Sequence, residues 1–84
     1  METLIRYPLA TEKAIRMIEA ENTMTFEVER KAKKGDIKKQ VQELYKVKVE
    51  KVNTMITTRG TKRAYVKLAM ETPALDVATQ LGLI

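Results

Sequence analysis

The stretch from Val47 to Met70 restricts the fold more than any other part of the chain. Apolar residues alternate with polar ones on both sides of Thr58-Arg59-Gly60-Thr61, a turn sequence in which Gly60 is free to take positive φ. Alternation at period two marks a half-buried strand. Two strands joined by so short a turn must pair antiparallel, because a parallel pair needs a crossover of a dozen or more residues. The first of them carries an irregularity. Val47 and Val49 share one parity, whereas Val52 and Ile56 share the other. A parity switch sends every later side chain to the opposite face unless an extra residue absorbs it, which predicts a bulge or sharp coil near Glu50-Lys51. Beyond the turn, Ala64, Val66, Leu68 and Met70 alternate with Tyr65, Lys67 and Ala69.

The remaining elements follow from the same patterns. Thr3 to Tyr7 is short and β-prone, and Pro8 is expected to stop it. Thr11 is placed to cap a helix running to about Ala20, with Ala14, Ile15 and Ile18 as its apolar stripe, Met17 at the margin and Asn22 at its end. Met24, Phe26 and Val28 alternate with Thr25, Glu27 and Glu29, which reads as a strand with its carboxylates in solvent. Ile37, Val41, Leu44 and Tyr45 form one face of a second helix. Asp36 in its first turn suits the helix dipole, and Lys38, Lys39 and Lys46 lie off the stripe. Thr72 is placed as the N-cap of a last helix, Pro73 as its first residue, and Gly82 as its end, with Ala74, Val77, Ala78 and Leu81 as the stripe. The expected architecture is α+β: one domain over residues 1–84, a four-stranded mostly antiparallel sheet packed with helices, in the order β-α-β-α-β-β-α.

Composition removes most catalytic readings. Without cysteine there is no disulfide, thiolate nucleophile or thiolate zinc site, and without histidine the commonest general base and metal ligand is missing. The threonines have no histidine to activate them, and three scattered glycines build no phosphate-cradling loop. The expectation is a non-enzyme with no cofactor and no metal. No uninterrupted apolar run exceeds three residues, so no membrane insertion is expected. The start, Met1-Glu2-Thr3-Leu4-Ile5-Arg6, lacks a basic-then-apolar signal segment. A cytoplasmic protein, monomeric when isolated, is the reading.

Charge points to a partner. Sixteen Lys and Arg against eleven Asp and Glu leave +5 on 84 residues, which favours a polyanion. Its distribution says more than its total. Arg30 to Lys39 holds six cations and one anion, and Arg59 to Arg63 holds three cations in five residues. Lys31, Lys33, Lys34, Lys38, Lys39, Arg59, Lys62, Arg63 and Lys67 are the candidate phosphate contacts. Glu12, Glu19 and Glu21 gather elsewhere, should face away from a polyanion, and are free for protein partners or solvent. With three Tyr and one Phe, and with Phe26 on the apolar face of its strand, no two-aromatic base-stacking platform is expected. Tyr65 lies off the apolar face and is read either as core-edge packing or as a stack for one base. Asn53 and Thr54 either bond to RNA or satisfy the bulged backbone. The picture is Lys and Arg gripping phosphates of folded RNA, with shape doing the selecting.

The string Lys62-Arg63-Ala64-Tyr65-Val66-Lys67-Leu68-Ala69, with Val77 eight positions on, resembles the signature of the large-subunit ribosomal protein twenty-three family. Pro8-Leu9-Ala10-Thr11-Glu12-Lys13-Ala14 is similar to that family's Pro-x-x-Thr/Ser-Glu-Lys-Ala start. Asn22, Ala32, Lys34, Ile37-Lys38 and Val47 to Thr54 fall in register, so the resemblance runs from about Ile5 to Leu83. It implies a ribosome-bound structural protein that binds large-subunit ribosomal RNA and helps frame the mouth of the polypeptide exit tunnel. It also implies ribosomal protein twenty-nine as a neighbour, and transient docking of the signal recognition particle and the protein-conducting channel. In bacterial relatives the glutamate of the Thr/Ser-Glu-Lys motif helps dock a nascent-chain chaperone, and here that position is Glu12. Two departures stand out. The long extension that bacterial members carry between the last two strands is reduced here to about Arg59–Lys62, similar to the archaeal type. Lys33 stands where relatives often have a threonine able to cap the second helix. Two other classes compete with this reading: a free-standing RNA-binding module, and a small ligand-sensing or oligomerising α+β domain without RNA.

Overall fold

A computed structural model describes residues 3–84. The elements are β1 (Ile5–Pro8), α1 (Glu12–Glu21), β2 (Thr23–Val28), α2 (Lys34–Tyr45), β3 (Val49–Ile56), β4 (Lys62–Leu68) and α3 (Ala74–Gln80), the α+β order expected. The four strands form one sheet in the order β1-β2-β4-β3, and every neighbouring pair is antiparallel. β2 and β3 both oppose β4 and therefore run the same way, so α2 is the crossover that joins them and β4 is inserted between them.

The β3–β4 hairpin has the bulge that parity demands. Val49 pairs with Leu68 and Lys51 with Lys67, leaving Glu50 as the surplus residue. Below it Val52, Thr54 and Ile56 share the face of Val66, Ala64 and Lys62, while Lys51, Asn53 and Met55 stand opposite Lys67, Tyr65 and Arg63 on the other face. The first face is the core face. Met24, Phe26, Val28, Ala64, Val66 and Leu68 cluster there with Ile18 of α1, Ile37 and Val41 of α2, and Ala74, Val77 and Ala78 of α3. Burying side chains of this kind stabilises by about 1.5–3 kcal/mol each. Phe26 is fully buried and stacks, with ring centroids 5.4 Å apart, on half-buried Tyr45, which packs against the core.

Several expectations need correction. β1 does not stop before Pro8. Pro8 pairs with Phe26, which an edge strand tolerates because proline's missing N–H can face outward. β2 is buried along its whole length rather than half-buried, since β1 and β4 flank it and Tyr7, Arg63 and Tyr65 stand beside its second-face positions. Glu27 is thus 5% exposed and not solvated. Leu44 is 54% exposed: α2 turns its last core position over to Tyr45 and ends at Lys46, which has φ 56. Met70 lies past the end of β4 and is exposed. Thr72 does not cap α3. The helix starts at Ala74, whose N–H donates to Asn22 Oδ1 at 2.6 Å, so the cap comes from a distant side chain. At its other end Leu83 N–H donates to Ala78 and Gly82 N–H to Thr79, with Gly82 at φ 76. This closure leaves Leu81 partly exposed and packs Leu83 on the core instead.

Candidate nucleic-acid interface

Register alone brings the two basic segments together. Val28 opposes Lys62, and Lys62 opposes Ile56, so the chain leaving β2 and the tip of the β3–β4 hairpin lie at the same end of the sheet. Side chains then join them. Lys62 Nζ donates to the Ala32 carbonyl at 2.7 Å. The Arg30 guanidinium reaches the tip, its Nη1 3.9 Å from where a Cβ on Gly60 would stand. The tip is itself closed by Gly60 N–H to the Thr57 carbonyl at 2.9 Å, Thr57 N–H to the Thr61 carbonyl at 2.8 Å, and a 2.7 Å hydroxyl contact between Thr57 and Thr61. Gly60 has φ 83, the left-handed residue that a type I turn followed by a bulge requires.

Lys31, Lys33, Lys34 and Arg59 are exposed around this junction, and Lys38 and Lys39 continue along the wet side of α2. Lys33 occupies the N-cap with no side-chain cap bond, so the first N–H groups of α2 open toward the same basic end. Among the described residues none of these six cations is tied to a carboxylate; the ion pairs lie elsewhere. Arg6 Nε meets Glu29 at 3.2 Å, and the hydrogen bond and charge of Glu29 raise the Arg6 guanidinium above its usual pKa. Lys48 Nζ lies 3.4 Å from Glu71, at the far end of β4.

Arg63 is different. Its Nε sits 4.0 Å from Glu27 Oε1, and among the described residues Arg63 Nε and Glu27 Oε2 are buried without a hydrogen-bond partner, as is Thr25 Oγ1. The Glu27 charge is balanced at a distance rather than bonded. Removing Arg63 would leave it uncompensated, a type of change that costs about 3–5 kcal/mol for fully buried pairs and less here, where Arg63 is partly wet. Asn53 is exposed opposite half-buried Tyr65, and Lys67 is exposed beside it, all on the second face. Thr54 is separated from them: it shares the core-face parity opposite Ala64. The acids are not one cluster either. Glu12 and Glu19 flank a shallow groove with Ile15 and Arg16, whereas Glu21 lines a different groove beside the second face of the sheet.

Three cations were missed by sequence reasoning. Arg30 lies inside the basic run, but only the fold shows it reaching Gly60. Lys51 was legible: counting parity through the predicted bulge puts it opposite Lys67. Lys13 faces the second-face groove from α1, and no linear signal marks it. Among the described residues no group of His, Cys, Asp and Glu side chains could hold a metal ion, and no helix is long and apolar enough to cross a membrane.

An exposed, unpaired array of Lys and Arg at one end of a small sheet suits a charged backbone and not a reaction centre. The chain is also similar to known proteins. A family model described as ribosomal protein L23 matches residues 3–75. The large ribosomal subunit protein uL23 of Trypanosoma brucei brucei is 49% identical over 81 residues, which are 96% of this chain and 49% of that protein. The chain therefore spans about half the length of this curated relative. With the family profile covering most of the sequence and the α+β order in place, the chain belongs to the ribosomal protein L23 family.

Proposed function

We propose that the protein is a structural component of the large ribosomal subunit, ribosome-bound in the cytoplasm, that grips ribosomal RNA with its basic end. The observation that carries this reading is the set of unpaired cations, Lys31, Lys33, Lys34, Lys38, Lys39 and Arg59, around the Lys62–Ala32 tie. Each cation that meets a phosphate releases counterions, so binding is salt-steep. For about five contacts, log affinity falls against log salt with a slope of roughly −3.5 to −4.5, a loss of about a hundred- to five-hundredfold between 50 and 200 mM salt. Arg63 and Lys67 extend this grip onto the second face.

The finer roles that the family resemblance implies complete the proposal. The protein helps frame the exit-tunnel mouth, neighbours ribosomal protein twenty-nine, and offers the exposed acids Glu12, Glu19 and Glu21 to targeting factors such as the signal recognition particle and the protein-conducting channel. The tight 57–61 tip supports a role at the mouth and not deep in the tunnel. The test is twofold. In low salt the protein should travel with large subunits and leave only under harsh washing. On large-subunit RNA alone it should give a nuclease footprint that fades with the stated salt slope. A salt-insensitive or absent footprint overturns the reading.

A further inference from the structure

We propose that the second face of the sheet holds one extruded nucleotide of the bound RNA, its base against Tyr65 and its phosphate between Lys51 and Lys67. The inference rests on the RNA-binding reading and adds a recessed single-nucleotide site to the phosphate grip at the basic end. A groove of about 510 Å³ runs along this face between α1 and the strands, lined by Lys13, Lys51, Asn53, Tyr65 and Lys67, with Glu21 as the one carboxylate among the described residues that line it. That volume is in the range of sites that enclose a small organic ligand.

Charge complementarity selects the occupant. Lys51 and Lys67 are register partners on the same face, and like charges placed directly opposite destabilise a strand pair. Both are exposed, and among the described residues no carboxylate pairs with either. An anion between them converts the repulsion into two attractions, and Lys13 on the facing helix adds a third cation. Tyr65 supplies what a bare anion would not need. It stands between Arg63 and Lys67 along β4, half-buried, its hydroxyl without a bond among the described residues. A tyrosine ring in a basic groove is the surface on which an unstacked base settles, whatever its identity. Asn53, directly opposite and exposed, offers an amide donor and acceptor to a base edge. Glu21 can accept from a base amino group or a ribose hydroxyl, and it repels a phosphate, which orients the nucleotide with its phosphate toward the lysine pair. Duplex phosphates suit the exposed basic end, whereas a groove walled by a helix admits a base that has left the stack.

The probes are two RNA hairpins of equal length, one fully paired and one with a single unpaired adenosine. Stacking on an aromatic side chain is worth about a five- to hundredfold gain in affinity. The protein should bind the bulged hairpin tighter by at least fivefold. Tyr65→Leu should erase that preference while leaving affinity for the paired hairpin within about twofold, and Tyr65→Phe should keep it. Lys51→Ala, at an exposed edge position, should reduce the preference without touching the fold. A 5-iodouridine at the bulge should photo-crosslink to the tryptic peptide 64–67. If the paired hairpin binds with a steep salt slope and the bulge adds nothing, or if the preference survives Tyr65→Leu, the nucleotide site is refuted and the phosphate grip stands. If neither hairpin binds, the RNA reading fails and the site falls with it.

Discussion

At the end of the sheet where α1 passes into β2, one side chain gathers three stretches of chain. The Asn22 amide nitrogen shares its hydrogens among the carbonyls of Leu68, Ala69 and Thr72 at 3.0, 3.2 and 3.3 Å, its oxygen accepts from Ala74, and its own backbone carbonyl accepts from Leu68. Asn22 holds φ 53 to do so, a conformation asparagine tolerates better than most residues. At the opposite end, between 29–34 and 57–61, the polar side chains are numerous and, among the described residues, mostly unbonded, with a lysine-to-carbonyl bond from Lys62 joining the two segments. The first end spends its polar groups on the protein itself. The second leaves most of its own without a partner among the described residues. A polar residue's role is therefore read from whether its hydrogen bonds are already satisfied within the fold.

The contrast can be broken at each end separately. Replacing Lys33, Lys34 and Arg59 together by glutamate should produce the largest effect, an affinity loss on the order of a thousandfold for ribosomal RNA, with the salt slope shallower by roughly 2 to 3. Thermal stability should hardly move, because none of the three bonds to another side chain among the described residues. Lys62 and Arg63 are unsuitable for this variant, since the first ties the loop and the second balances Glu27. A filter-binding series across salt checks it, and unchanged affinity would remove the basic end from the interface. Asn22→Ala should do the reverse. Losing its four side-chain bonds should lower stability by about 2–4 kcal/mol, read from the urea midpoint, while RNA affinity per folded molecule stays constant. The smallest effect concerns neither end. Burial pushes the Tyr45 phenol above its usual pKa. Its stabilising contribution is complete below the unfolded value near 10 and is lost as pH rises through the folded value. Tyr45→Phe keeps the stack on Phe26 and removes that loss, so the wild type should weaken relative to the variant as pH rises past the unfolded tyrosine value of about 10 in thermal melts.

What the sequence disclosed depended on whether the governing contact was local. The β3–β4 hairpin, its bulge, the Thr11 cap and the Gly60 turn are set by residues within a few positions of one another, and each appears where the pattern placed it. The cap of α3 does not, because its acceptor lies 52 residues away in Asn22. Glu27 looked solvated because alternation reports which face a residue takes, not what covers that face. The basic segments could be identified in the chain, but their meeting is a product of antiparallel register, and Arg30 and Lys13 join their sites only through the third dimension.

The surplus residue at Glu50 has a genetic corollary. Losing that single codon would set Val49 and Lys51 side by side against Leu68 and Lys67, which are already neighbours, and so straighten the strand into an unbroken ladder. Lys51, Asn53 and Met55 would keep their face, and Val52, Thr54 and Ile56 theirs. An in-frame loss of one triplet there should be tolerated far better than the same loss at Asn53, where no surplus residue takes up the step and side chains change faces.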